Sequence, residues 1–117
     1  MRLAVASVVT ALAVIGAACG QDASESAGDR GSGLYEANCS ACHGDDLAGT
    51  SRGPSLLDDR YRPDQLSDAE IRSAIRNGVE PSGDEFDAMP GNAVLRDAQV
   101  NEIIAFVRAE QRADQTP

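Results

Sequence analysis

Five consecutive residues, "CSACH" at positions 39–43, hold two of the chain's three cysteines and its single histidine. No other stretch restricts the fold as strongly. On a helix, Cys39, Cys42 and His43 stand at i, i+3 and i+4 and share one face. Three chemistries use such a face: a redox dithiol, half of a zinc site, and a covalent clamp on a prosthetic group whose metal the histidine binds. The rest of the sequence has to choose among them.

The 117 residues allow one small domain at most. Residues 1–18 stand apart from it. Met1-Arg2 precedes an unbroken apolar and small-residue run, "LAVASVVTALAVIGAA", which is short for a membrane span and has the layout of a secretory signal. Small residues just before Cys19 resemble a bacterial lipoprotein signal, in which the cysteine is lipidated and becomes the new N-terminus. The alternative is a plain signal or uncleaved anchor with Cys19 an incidental thiol. On either reading the domain is exported, and the lipoprotein reading places it at the outer face of the cytoplasmic membrane or in the periplasm.

Cleavage before Cys19 leaves nine arginines against 19 acids, a charge of about −10, and there is no lysine. Phosphate backbones repel such a chain, so nucleic-acid binding is excluded, while a partner with a basic surface is compatible. Residues 19–30 open a Gly-, Ser-, Ala- and Asp-rich stretch without hydrophobic periodicity, which predicts a flexible tether. The folded domain is then 31–113, with 114–117 a short tail. A domain of roughly 80 residues, holding two Phe, two Tyr and no Trp, struggles to build a core from side chains alone. A disulfide between Cys39 and Cys42 closes too small a loop to help much. Something else must fill the middle.

Strand-like alternation and internal repeats are missing, and helical signals are clear in three places. "GLYEANCSACH" predicts a helix ending near Gly44. "LSDAEIRSAIRNG" opens with a capping box, Ser67 and Glu70, carries Ile71, Ala74 and Ile75 on one stripe, and stops at Gly78. "RDAQVNEIIAFVRAEQ" sets Val100, Ile103, Ile104 and Val107 at i, i+3, i+4 and i+7, with Asp97 at its start and Arg108 and Arg112 near its end complementing the dipole. Two long Gly-, Pro- and Asp-rich loops, Asp45 to Leu66 and Val79 to Leu95, separate these helices. The fold class is all-α, and loops this long in a small domain need something to wrap around.

The βαβ pattern that accompanies a thioredoxin-like dithiol is absent. Zinc wants four ligands, and residues 31–113 offer no Cys or His beyond these three. The spacing favours C-x-x-C-H as a haem attachment site, in which the two thiols add to the vinyl groups and the adjacent histidine binds the iron; a dithiol, or a zinc site completed by carboxylates, stays open on spacing alone.

Four segments in order then resemble the small class I, monohaem c-type cytochromes. "GSGLYEANCSACHG" has Gly31 and Tyr35 spaced before Cys39 as in that family's first helix, and "EIIAFV" supplies Ile103 and Phe106 as their partners on the last. "RGPSL" is similar to the family's Gly-Pro-x-Leu segment, and "DAMPG" to its methionine loop. The resemblance implies a small cytochrome c fold wrapped around one covalently held haem c (iron), with Cys39 and Cys42 as thioethers and His43 as proximal ligand. It also implies that the carbonyl of Pro54 accepts a hydrogen bond from His43 Nδ1.

Elimination points to the sixth ligand as well. Once Met1 leaves with the signal, Met89 is the one remaining methionine, with neither lysine nor a second histidine to compete. Pro90 biases Met89 away from helix and into a loop. A core-filling methionine, or water at the iron, is the alternative. Saturated His/Met ligation raises the potential and leaves no position for substrate. The function expected is one-electron transfer between exported or membrane-bound redox proteins of a respiratory-type chain, not catalysis. A haem sensor or haem enzyme subunit follows instead if the sixth position is open.

Overall fold

The computed structural model describes residues 22–81 and 83–117; the signal segment and Cys19 lie outside the described residues. The element order is α1 (Asp22–Asn38), α2 (Ser40–His43), a 3-10 turn (Asp59–Tyr61), α3 (Asp68–Asn77) and α4 (Asp97–Asp114). The described residues contain no strand, and their two isolated bridges join Thr50 to Gly53 and Val79 to Met89. The all-α expectation and both long loops are therefore present.

α4 is the axis of the fold. Its stripe, Val100, Ile103, Ile104 and Val107, is at most 4% exposed and packs with Tyr35, Ile75, Leu47 and Leu95 into one core. α1 crosses it at Gly31, where a Cβ would stand 2.5 Å from the Glu102 carbonyl and 3.0 Å from Phe106 Cβ. Only a residue without a side chain permits that approach. One turn on, the ring of Tyr35 lies tilted against Phe106 with centroids 5.4 Å apart. α3 packs on α4 through Ile75 and Ile71.

Three boundaries differ from expectation. The helix leading to the cysteines is broken at Cys39 (φ −126°, ψ −33°) rather than continuous to Gly44. Ser40 Oγ donates to the Glu36 carbonyl at 2.8 Å, competing with the backbone for that acceptor, a bond that bends helices. The i to i−4 bonds of Cys39 and His43 survive on either side, at 2.8 and 3.0 Å. α1 also begins at Asp22, inside the stretch expected to be a tether. Its glycines favour coil, but the close approach at Gly31 and an Arg30–Glu102 ion pair (3.1 Å) hold its exit against α4. α4 runs on to Asp114 at the other end, where that carboxylate meets Arg62 at 3.1 Å.

Substitution separates the packing glycine from the incidental one. Gly31→Ala should cost about 1–3 kcal/mol through overpacking. Gly33→Ala, with open space around it, should stabilise by up to ~1 kcal/mol through helix propensity. Denaturant midpoints of the two variants check this.

The capping box on α3 is fully formed, with Ser67 N–H donating to Glu70 Oε2 at 2.8 Å. That bond first, and the Ser67 hydroxyl second, hold Glu70 below the usual carboxylate range. A lowered folded-state pKa stabilises above the unfolded value and ceases to as pH falls through the folded one. Ser67→Ala should lower Tm at neutral pH, and the gap from wild type should narrow in acid.

Candidate functional site: an apolar cleft beside the CSACH segment

Between the α1–α2 corner and α3 the fold leaves a cleft of about 460 Å³, within the ~300–1,000 Å³ typical of cofactor sites. Cys39, His43 and Pro54 line one part of its wall, Ile71, Ile75 and Met89 another, and Val107 of α4 also borders it. Four of the five site residues expected within the domain thus meet at one cavity. The fifth, Cys42, is half-buried beside it and does not line it. The Cys42 carbonyl accepts from Thr50 Oγ1 at 2.7 Å, and its backbone packs against Gly53, which leaves no room there for a Cβ.

His43 is 8% exposed, and its Nδ1 lies 2.9 Å from the carbonyl oxygen of Pro54. A carbonyl can only accept, so Nδ1 carries a proton, and in the neutral ring the lone pair is then on Nε2, the tautomer a metal ligand requires. The loop bearing Pro54 is folded back onto the helix corner. Tyr35 Oη donates to the Gly44 carbonyl at 2.7 Å, and Leu56 N–H to the Leu47 carbonyl at 2.8 Å. Leu47 sits at φ +61° while 1% exposed, a left-handed conformation retained because its side chain fills the core. Burial, with a smaller contribution from Tyr35's acidic neighbours, raises the Tyr35 phenol far above its ordinary pKa, so this bond persists at every physiological pH.

These surroundings bear on the competing chemistries. A redox dithiol needs a thiol whose pKa is lowered. Burial, and then the neighbouring Cys42, push Cys39 up to about 11. A zinc site needs converging ligands, and no group of three His, Cys, Asp or Glu among the described residues could hold a metal ion. What the cleft offers is an apolar slot with one imidazole, one thioether and a thiol at its wall.

Residues 26–107 match the family model described as cytochrome c oxidase, cbb3-type, subunit III. The chain belongs to this c-type cytochrome family. Over 88 residues it is 38% identical to cytochrome c-551 of Bacillus subtilis (strain 168), covering 66% of this chain and 75% of that protein. It is also 33% identical over 72 residues to the menaquinol:cytochrome c reductase cytochrome c subunit of the same organism. That match covers 62% of this chain but 24% of the relative, so the chain spans about a quarter of the larger protein's length. Haem is the family's cofactor, and this cytochrome's cleft suits it in volume, in apolar lining and in its imidazole and thioether donors.

Behind the cleft lies a polar cluster that local spacing did not reveal. Arg108 is 6% exposed and Gln111, which lines the cleft, is 2% exposed, both on α4. Arg108 donates to Asp68 Oδ1, the Tyr61 carbonyl and Gln111 Oε1, each at 2.8 Å, and to the Leu66 carbonyl. Gln111 Nε2 reaches the carbonyls of Leu56 and Tyr61 at 2.8 and 3.0 Å. Four carbonyl contacts on residues 56–66 are thus satisfied by two side chains of one helix. The loop, which lends Leu56, Tyr61 and Leu66 to the cleft, is held by them. Arg108 follows the buried Val107 and lies one turn after Ile104, so the stripe itself carried the signal, read instead as a dipole contact. Arg62 reaches Asp59, Asp114 and the carbonyls of Leu57 and Gln111. Arg60 pairs with Asp58 at 3.1 Å.

Arg108→Leu removes the donor to the Leu66 carbonyl and to Gln111 Oε1, leaving Tyr61 only its bond from Gln111, and should cost roughly 3 kcal/mol. Asp68→Asn alters the exposed end of the network and should cost less than about 1 kcal/mol. Urea midpoints of the two variants measure the difference.

Proposed function

We propose that this cytochrome is a one-electron carrier, with one haem c held through Cys39 and Cys42 and its iron bound by His43 and Met89. The observation that carries the reading is the meeting of His43 and Met89, the single histidine and the single methionine beyond Met1, at one apolar cleft. Cys39 and Cys42 would hold the haem as thioethers, each S–H adding across one vinyl group with no oxidant needed. When bound, the iron supplies the ferrous/ferric couple. Pro54 fixes the imidazole plane through Nδ1 and makes Nε2 a stronger donor. Met89 contributes a neutral, polarisable sulfur that favours the reduced state. With His43 and Met89 both holding the iron, no position would be left for a substrate, which would suit transfer rather than catalysis.

The Cys19 motif and the charge support a setting outside the cell membrane. A lipid on Cys19 would hold the domain at the outer face of the cytoplasmic membrane, where exported redox proteins are within reach. Among the described residues no helix is long and apolar enough to cross a membrane. The relative that is a menaquinol:cytochrome c reductase subunit makes a respiratory-type chain the natural context. Glu70, Glu80 and Asp87 stand on the cleft wall of a chain with formal charge −9, which favours donors and acceptors with basic faces.

Absorption spectra of the mature protein test the ligation. Sharp reduced haem c bands should appear, with a weak near-infrared sulfur-to-iron band in the oxidised form. Met89→Ala should abolish that band and open the ferrous iron to carbon monoxide. Covalent haem without the band would turn the reading to a sensor or enzyme subunit, and absence of covalent haem would end it.

A further inference from the structure

Met89 lies at the end of a segment held from three directions by the polypeptide itself. α3 stops at Gly78 (φ +80°), whose N–H closes on the Ala74 carbonyl at 2.8 Å. The next residue, Val79, exchanges two hydrogen bonds with Met89, each 2.9 Å. The chain leaving α3 and the chain arriving at Met89 are therefore pinned as an antiparallel pair. Two glycines let this pair sit directly on the helix end. A Cβ at Gly78 would collide with the Met89 carbonyl, and one at Gly91 would stand 2.6 Å from the Arg76 carbonyl. Asn92 closes the arrangement. Its N–H donates to the Ile75 carbonyl at 2.7 Å, and its Oδ1 accepts from the N–H groups of Val94 and Leu95 at 3.1 and 3.3 Å. Its Nδ2 donates to Asn38 Oδ1 at 3.2 Å. Asn38 immediately precedes Cys39, so Asn92 links the methionine segment to the helix that leads into Cys39 and His43.

We infer that Gly78, Gly91 and Asn92 are positioning residues that clip Met89 in place and thereby set how firmly its sulfur holds the iron. The inference rests on Met89 as sixth ligand. A thioether is a weak, neutral donor on a side chain with three rotatable bonds, so any freedom left in its backbone must be lost on binding. The clip removes that freedom beforehand. The chain has no lysine and no second histidine to replace a displaced methionine, so a loosened Met89 yields its place to water or a small ligand. Loosening is then read directly as competition: apparent carbon monoxide affinity rises by the factor by which the sulfur bond weakens.

The haem-loaded protein is compared with Asn92→Ala, Gly91→Ala, Val94→Ala and Ser67→Ala. Val94 is 91% exposed and lends only its backbone to the clip, while Ser67 caps the far end of α3. Asn92→Ala should raise ferrous carbon monoxide affinity roughly fivefold, as loss of one net hydrogen bond gives. Hydrogen exchange at the Val79 and Met89 amides should quicken with it. Gly91→Ala should do more and weaken the near-infrared band. Val94→Ala and Ser67→Ala should leave carbon monoxide affinity at the wild-type value, although Ser67→Ala lowers Tm; a merely structural role would make affinity follow Tm across all four. Unchanged affinity in folded Asn92→Ala overturns the clip while leaving His43/Met89 ligation intact. A wild-type protein without the sulfur band removes the ligation and the clip together. If Gly91→Ala does not fold, Asn92→Ala decides.

Discussion

The contact on which the rest depends is the crossing of α1 over α4 at Gly31. It brings two backbones so close that no side chain fits between them, and it seats Tyr35 against Phe106 one turn later. The position of Cys39 and His43 follows, because Tyr35 is four residues before the first and its hydroxyl holds the Gly44 carbonyl just beyond the second. A shift of α1 along α4 would move the imidazole, the thiol at the cleft wall and the loop carrying Pro54 together. The cleft is a by-product of this crossing. α1 and α3 both pack on α4, and the space between them is what the long loops border.

A domain this small cannot close such a space with aliphatic side chains, and its aromatic content is four residues in all. Part of the work falls to polar groups in its interior. Arg108 and Gln111 replace packing with hydrogen bonds to carbonyls that would otherwise be buried without partners. Such bonds fix distances more sharply than apolar contacts do. The 56–66 loop has one short 3-10 turn as its regular structure, yet it presents defined residues to the cleft for this reason.

The two sides of the cleft are built by different means, and this suits the parts proposed for them. The histidine side is covalently continuous, a short helix with its imidazole oriented by one carbonyl. The methionine side is an irregular segment whose place is set by a bridge, two glycines and one asparagine. An electron carrier needs both sides unchanged between oxidation states, since movement on transfer adds a barrier. In that proposal, rigidity on the methionine side has to come from backbone contacts, because a thioether sulfur is a weak donor.

Features with partners nearby in the chain were legible beforehand. The capping box of α3 and the stripe of α4 act within four residues, and each is found where its spacing places it. Of the three residues expected on one helix face, Cys39 and His43 line the cleft while Cys42 does not, because the helix breaks at Cys39. The family likeness added the Gly31–Phe106 approach and the Pro54–His43 bond, neither of which spacing alone reveals. Features whose partners are distant were not legible. Arg108 on an apolar stripe looked like a charge near a helix end until the loop carbonyls 42 and 47 residues away came to it. Asn92 carried no signal, since its partner Asn38 is 54 residues back. α1 starts earlier than local propensity, which argues for coil, would place it; its close approach to α4 comes only at Gly31. The sequence by itself determined the helices, the chemistry of the donors and the need for a filled core, since these depend on residue type and short spacing. The tertiary structure alone decided which donors share a cleft and what holds them there, since those contacts exist only once the chain has closed on itself.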